Sequence, residues 1–449
     1  MNWNKLLSHK RLGKENKVDK FALTRTEFQK DFDRIVFSSE FRRLQNKTQV
    51  MPLPGSDYVR NRLTHSLETS SVARTLGTIV GTEIIKNNKE IEKEHNITAS
   101  EIGSVVSAAA LAHDIGNPPF GHAGEDAISE YFKKNTNFLK NLNDFESADL
   151  QNFEGNAAGF RLIANSLTAQ TSIEGGLGLT YTTYATFTKY PKFSLPDLKK
   201  TGIASEKKYS IFQSEKEIFK KIAMETGLKV KRDTERWYRH PLTFLVEAAD
   251  DICYHIIDFE DGYHVGNIDF NTIESLFKEL LKENWGKETK RYNQIFDKSK
   301  KINYLRAKVI SELVKKVTQI FIENEKKLLK GEFDKALLDC VEQFEILKEI
   351  KDISVKKLYK SRVVVEIESA GFTVIPGLLD AFLNAVFDSK NKKNKLLKEL
   401  IPKQYLSTDK TNYNDYQKIL NIVMFVSGMT DKYAINLYKK INGISLPEY

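Results

Sequence analysis

Cysteine is nearly absent from this chain: 449 residues hold two, Cys253 and Cys340. Two thiols do not make a disulfide framework, and a reducing compartment is expected. A long apolar run is also missing. No uninterrupted stretch approaches the ~18 residues of a membrane-spanning helix. The opening MNWNKLLSHKRLG is too polar for a secretory signal. No membrane association and a cytoplasmic location are therefore expected. No internal repeat is visible, and strand-like stretches are few, chiefly near 178–188 and 229–232.

Helical periodicity fills the rest. Apolar spacing predicts helices over 27–44, 66–87, 101–112, 123–132, 241–259, 273–282, 308–330, 377–387 and 413–426, so the fold class is mainly α. Hydrophobic residues at 41% and charged residues at 29% are ordinary for a globular protein, and the length allows a large core. The formal net charge of +9 favours a polyanionic partner, either a phosphate-rich small molecule or nucleic acid. The cluster Lys390, Lys392, Lys393, Lys395 and Lys398 reads as a solvated face.

The most informative segment is LAHDIGNPPFGHAGE, residues 111–125. His113 and Asp114 end an alanine-rich helical stretch. Neighbours on a regular helix lie ~100° apart, so these two side chains converge on one ion only where the helix stops. Gly116, Pro118 and Pro119 supply the break. Imidazole with carboxylate suits a divalent ion of the Mn, Fe, Zn or Mg group. His65, in RNRLTHSLETSSVAR, sits near the first turns of a helix marked by Leu63, Leu67 and Val72. Downstream, EAADDICYHIIDFED places Asp250 and Asp251 inside an apolar run, where an unpaired carboxylate is costly. His65, His113, Asp114 and one of these two aspartates form a candidate His2Asp2 metal set.

The order of these residues resembles that of the HD-domain phosphohydrolases. Longer blocks narrow the likeness: FRRLQNKTQV (41–50), RNRLTHSLE (60–68), AHDIGNPPFGHAGE (112–125), QNFEGN (151–156), TKYP (188–191), HPLTFLVEAADDICY (240–254) and VSGMTDKYA (426–434). Together they are similar to the deoxyguanosinetriphosphate triphosphohydrolases, related to the SAMHD-type dNTPases. One departure is Asn117, where many relatives carry histidine. Gly175, Gly176 and Gly178, which punctuate a turn, and the Lys/Glu-rich stretches after them mark about 156–239 as an insertion between core helices. With it, the resemblance implies an HD-domain helical core over 1–270 and a Lys-rich helical C-terminal subdomain over 271–449. It also favours helix over strand for 180–188. It implies Mn2+ or Mg2+, one ion per site, a homo-oligomer (hexamer before tetramer), and single-stranded DNA as a regulator.

Periodicity separates the two aspartates. Asp250, Tyr254 and Asp258 stand at i, i+4 and i+8, one stripe of a helix, with Asp251 turned ~100° away. Asp250 is therefore the expected ligand. The resemblance makes Tyr254 and Asp258 the readers of the deoxyribose, puts Gln49 beside the sugar, and gives Lys189 and Tyr190 to the phosphates. Arg62, one turn before His65, can hold a phosphate bidentately. The reaction implied releases intact tripolyphosphate, so water attacks the α-phosphorus and the 5′-oxygen leaves. His122 is the expected proton-transfer group, with Glu125 orienting its ring and raising its pKa. Whether His122 acts as acid or base is open from sequence.

The leading expectation is hydrolysis of dGTP, and of other dNTPs, to deoxynucleoside and tripolyphosphate, regulating nucleotide pools. Another HD phosphohydrolase, a 5′-nucleotidase or phosphodiesterase, is the runner-up; it gives no reason for the Asp250–Tyr254–Asp258 stripe. A nucleic-acid-binding protein with a vestigial site would show a broken ligand set, and here every ligand is present.

Overall fold

The computed structural model describes residues 1–14, 25–50, 59–165, 176–195, 204–231, 234–282, 284–388, 390–406 and 414–445. Among these, secondary structure is helical, and β pairing is limited to isolated bridges such as Val230 with Trp237. The helices that line the cleft or pack behind it are α1 (Glu27–Val36), α2 (Arg62–Asn87), α3 (Ala99–Ala112), α4 (Gly121–Lys134), α5 (Gly155–Ala164) and α6 (Tyr181–Phe187). They continue with α7 (Thr243–His264), α8 (Phe270–Leu280), α9 (Lys298–Lys330), α10 (Arg362–Phe387), α11 (Asp415–Ser427) and α12 (Asp431–Ile441).

Helix α3 is the centre. Ile102, Val105, Val106, Ala108, Ala109, Ala110 and Leu111 have no exposure, as expected of a helix apolar all round. Its start is fixed by Thr98 and Glu101, which cap each other's backbone reciprocally. Helix α2 lies closest to it: a Cβ on Gly77 would come within 2.9 Å of the Gly103 Cα, so glycine is what allows this approach. Helices α1, α6 and α7 also pack on α3, and α7 and α9 pack on α2. At the other end α10 rests against α4, α11 and α12.

Several boundaries differ from expectation. The helix predicted over 27–44 breaks after Val36, because Ser38 caps a new short helix, Ser39–Arg43. Helix α2 begins at Arg62, capped by Asn61, and Leu67 faces outward at 43% exposure; the buried stripe runs through His65, Thr69 and Leu76 instead. Helix α9 starts ten residues before the predicted 308, where Asp297 caps it. The segment 180–188 is helical, as the resemblance implied, despite its threonines and tyrosines. In the strand-like 229–232, Val230 makes only its one bridge, and Arg232 lies outside the described residues, as do Gly175 and Tyr413 of the expected turn and helix. Helix α10 is longer than the predicted 377–387 and carries Pro376 within it. It has the length and apolarity of a membrane span, which was not anticipated. It carries Glu366, Glu368 and Asp380 and packs on α4, α11 and α12, the pattern of a core helix.

Candidate functional site

Helix α3 ends at Ala112, and His113 caps it with near-helical dihedrals before the chain turns. The His113 Nδ1–H donates to the Ala110 carbonyl at 2.7 Å, which fixes the tautomer and leaves Nε2 free as a ligand. The turn that follows is pressed on α5. A Cβ at Gly116 would lie 2.0 Å from both the Gly155 carbonyl oxygen and the Gly159 nitrogen, so this backbone-on-backbone contact requires glycine. Asp114 is thereby brought beside His113, its two oxygens taking hydrogen bonds from the Asn117 amide and, at 2.8 Å, from Arg62 Nη1.

His65 in the first turn of α2 and Asp250 in the second turn of α7 meet this pair. Asp250 Oδ1 is 3.2 Å from His65 Nε2 and 3.4 Å from His113 Nε2, and His113 Nε2 is 3.5 Å from Asp114 Oδ1. Donors about 2.1 Å from one ion at right angles stand ~3 Å apart, so these separations fit a shared divalent metal. The electrostatics agree. Burial would lower the His113 pKa, but the Asp114 and Asp250 carboxylates outweigh it and lift it to about 9. Burial likewise opposes ionisation of Asp114, yet Arg62 and the two histidines bring it down to about 2. Against its own burial, Asp250 is held well below the carboxylate range by His113 and His65. A site that draws protons onto imidazoles in this way selects positive charge, which a metal supplies with release of those protons. Asp251, one residue on, lines no part of the cleft, and its burial pushes its carboxyl up to about 8.

Next to the donors lies a cleft of about 470 Å³, in the range of small-molecule sites. Asp250, Tyr254 and Asp258 all line it from α7. Asp258 has no exposure, one of its oxygens has no hydrogen-bond partner, and burial pushes its carboxyl up to about 7. The other oxygen accepts from the Tyr359 hydroxyl at 3.0 Å, and the Tyr359 ring stacks on Tyr254 at 5.5 Å and 6°. Tyr359 escaped the sequence reading. It closes a short π-helical turn, Val355–Tyr359, a geometry that often marks functional sites. With Val364, Ile367 and Glu368 it shows that residues on both sides of position 270 line one cleft.

Gln49, Arg62, Lys189 and Tyr190 line the same cleft. Arg62 is engaged with Asp114 and lies 3.4 Å from Gln49 Oε1, so its guanidinium is part of the ligand scaffold as well as the wall. Lys189 pairs with Glu247 at 3.4 Å, and Arg239 holds the other Glu247 oxygen at 2.9 Å. At the mouth stands His122, its side chain 83% exposed, with Nδ1 2.7 Å from the buried Glu125 Oε2. Glu125 Oε1 accepts from the Gly155 N–H at 2.7 Å. The hydrogen bond to Glu125, together with its negative charge, raises the His122 pKa. Lys208, which sequence reasoning also missed, lies 3.5 Å from Glu125 and 3.0 Å from Glu154 and adds a third cation to the lining, after Arg62 and Lys189. No signal marked it within the Lys-rich segment around it.

Known proteins resemble this chain in sequence. The HD domain matches residues 62–157, and the phosphohydrolase-associated domain matches 341–440. The chain is 43% identical to a deoxyguanosinetriphosphate triphosphohydrolase-like protein of Synechocystis sp., over 99% of this chain and the whole of that protein. It is 34% identical to such a protein of Pseudomonas aeruginosa over the full length of both. With the deoxyguanosinetriphosphate triphosphohydrolase of Yersinia enterocolitica it shares 31% identity over 94% of this chain and 95% of that one. His65, His113 and Asp114 fall in the first matched region and Tyr359 in the second, and the chain belongs to the HD-domain deoxyguanosinetriphosphate triphosphohydrolase family of phosphohydrolases.

Proposed function

We propose that this protein is a divalent-metal-dependent dNTP triphosphohydrolase that prefers dGTP and releases deoxynucleoside and tripolyphosphate, thereby limiting dNTP pools. The observation that carries the reading is the stripe on α7. One helix face leads from a metal ligand, Asp250, to a tyrosine and a buried acid, Tyr254 and Asp258, and that acid keeps one oxygen unpartnered inside the cleft.

His65, His113, Asp114 and Asp250 would hold Mn2+ or Mg2+. When bound, the ion polarises a phosphoryl oxygen and offsets the charge that builds on it. The chain's residues do the rest. Lys189, Lys208 and Arg62 bring positive charge to a cleft that must accept a triphosphate, and Tyr190 adds a hydroxyl donor. Tyr254 and Tyr359 form a flat wall for the sugar. Asp258 is available to the 3′-hydroxyl, and Gln49 crowds the 2′ position, which disfavours ribonucleotides. Water attacks the α-phosphorus, and the bond from phosphorus to the 5′-oxygen breaks. A nucleoside alkoxide is a poor leaving group and needs a proton. His122 would give it from Nε2 while Nδ1–H stays on Glu125, and its raised pKa favours this acid role.

The same reading carries partners. A homo-oligomer, a hexamer before a tetramer, accords with exposed Val363, Val365 and Phe372 on α10. Single-stranded DNA as a regulator accords with the net charge of +9. The test is a substrate panel with Mn2+ and with Mg2+: four dNTPs, GTP, a nucleoside monophosphate and a cyclic dinucleotide. Turnover of dNTPs, dGTP fastest and GTP poorest, is expected; turnover of the monophosphate or the cyclic dinucleotide alone overturns the reading.

A further inference from the structure

Immediately before His122 the backbone turns left-handed twice, at Phe120 (φ 65°) and Gly121 (φ 59°). Glycine adopts this without penalty, but for phenylalanine the Cβ opposes it, and such a residue persists only where its surroundings over-determine it. Among the described residues Asn96 alone shares the conformation without being glycine, and asparagine tolerates it well.

What holds Phe120 comes from far along the chain. The Phe120 N–H donates to Asp431 Oδ1 at 3.1 Å. The other oxygen of that carboxylate accepts from the Thr48 N–H at 3.0 Å and from the Thr48 hydroxyl at 2.5 Å. Lys47, one residue earlier, donates from Nζ to the Asn117 carbonyl and, at 3.0 Å, to the Ser427 carbonyl. Lys47 and Asp431 are 3% and 2% exposed. The Phe120 ring is held as well, since a Cβ on Gly371 would come within 3.1 Å of it. The stretch 117–120 is thus gripped at both ends by two adjacent N-terminal residues, the last residue of α11 and the first of α12. Lys47 and Asp431 do not line the cleft.

We propose that Lys47 and Asp431 are positioning residues for His122: they hold the left-handed turn that aims its imidazole, and so govern the chemical step while leaving metal and nucleotide binding in place. This rests on His122 being the proton-transfer group of the function proposed above. A purely structural role, joining α11 and α12 to the core, makes a different forecast, because it would lower stability without separating kcat from KM.

The experiment uses the full-length protein with Asp431→Ala, Asp431→Asn and Lys47→Met. Asp431→Ala is expected to lower kcat by roughly tenfold to a hundredfold on whichever dNTP the wild type hydrolyses, with KM and bound metal within about twofold. Asp431→Asn, which keeps an oxygen for the Phe120 N–H, should recover most of that loss, and Lys47→Met should fall between them. A second readout needs no turnover. His122 is faced by Glu125 on its own helix and by Arg62, Lys208 and Glu368 from other elements. Its titration, followed by NMR on histidine-labelled protein, should move toward the ordinary value of 6.5 in Asp431→Ala as the Glu125 contact loosens. Unchanged kcat per folded molecule, loss of metal, or an unmoved His122 titration overturns the proposal. If Asp431→Ala does not fold, the other two variants decide by the same criteria. An inactive wild type, or full activity in His122→Ala, would bring down the functional reading instead, and the NMR titration would still decide whether the clamp positions His122.

Discussion

The two chemical regions of the cleft are built on opposite plans. The donor set is drawn from three helices, with His65 and Asp114 buried and His113 and Asp250 half-buried, and it is cross-braced: Asp114 is held by Arg62 and Asn117, and His113 by the Ala110 carbonyl. His122 stands at the mouth with its side chain largely exposed and one anchoring partner, Glu125, three residues along the same helix. Rigid burial suits groups that must converge on one ion before substrate arrives. Exposure suits a group that must meet the substrate and exchange a proton with solvent between turnovers. Mutations in the first region should therefore remove binding and chemistry together, and mutations in the second should remove chemistry alone.

The largest effects fall in the donor set. His113→Ala and Asp114→Ala should each reduce turnover to background and strip the metal, with the fold retained by circular dichroism. Elemental analysis checks this, and an unchanged metal content would erase the distinction between the regions. Within the same helix, Asp250→Asn should lose metal and activity nearly as severely. Asp251→Asn should stay within roughly fivefold of wild type, because burial already favours the protonated, neutral form of that carboxyl near pH 7, with its pKa at about 8. Equal losses from the two would break the stripe argument.

His122→Ala should lower kcat by a factor on the order of 10²–10⁴ while metal content stays constant. Glu125→Gln should show a smaller loss. If His122 gives the proton, it must be charged at the start of turnover. Its folded-state pKa is raised by Glu125, so kcat should be fullest below that elevated value and fall as the pH rises through it. On the acid side the rate should fall as protons compete for the donor set. A kcat that instead rises with pH through neutrality would assign His122 to the base role.

The same contrast explains what was readable in advance. The donor set was legible because a His-Asp pair at a Gly/Pro break, a histidine at a helix start and an aspartate in an apolar run each violate a local rule, and the violations share one remedy. The α7 stripe followed from helical spacing. Tyr359 was not legible: it lies 101 residues after Asp258 and reaches it from a π-helical turn that no periodicity announces. Lys208 sits among other lysines, and only the fold brings it between Glu125 and Glu154. Leu67 misled the reading of α2, because the buried stripe there runs through His65, Thr69 and Leu76 and leaves Leu67 outside. The left-handed Phe120 had no counterpart in composition at all. Local exceptions that call for a ligand show in sequence; contacts between distant segments do not.

A smaller effect sharpens the sugar end. Tyr359→Phe removes the hydroxyl that donates to Asp258 and keeps the ring stacked on Tyr254. A single hydrogen bond of this kind contributes about 1 kcal/mol, so the preference in kcat/KM for dGTP over its 3′-deoxy analogue, which lacks the hydroxyl assigned to Asp258, should drop by roughly fivefold. Unchanged discrimination would take Tyr359 out of the sugar wall.

The central claim is that one bond breaks, between the α-phosphorus and the 5′-oxygen. 31P NMR of the wild-type reaction with dGTP and Mn2+, paired with chromatography of the nucleoside fraction, reads that bond directly. Equimolar tripolyphosphate and deoxyguanosine as first products are the predicted result. Pyrophosphate with deoxyguanosine monophosphate as first products would contradict it.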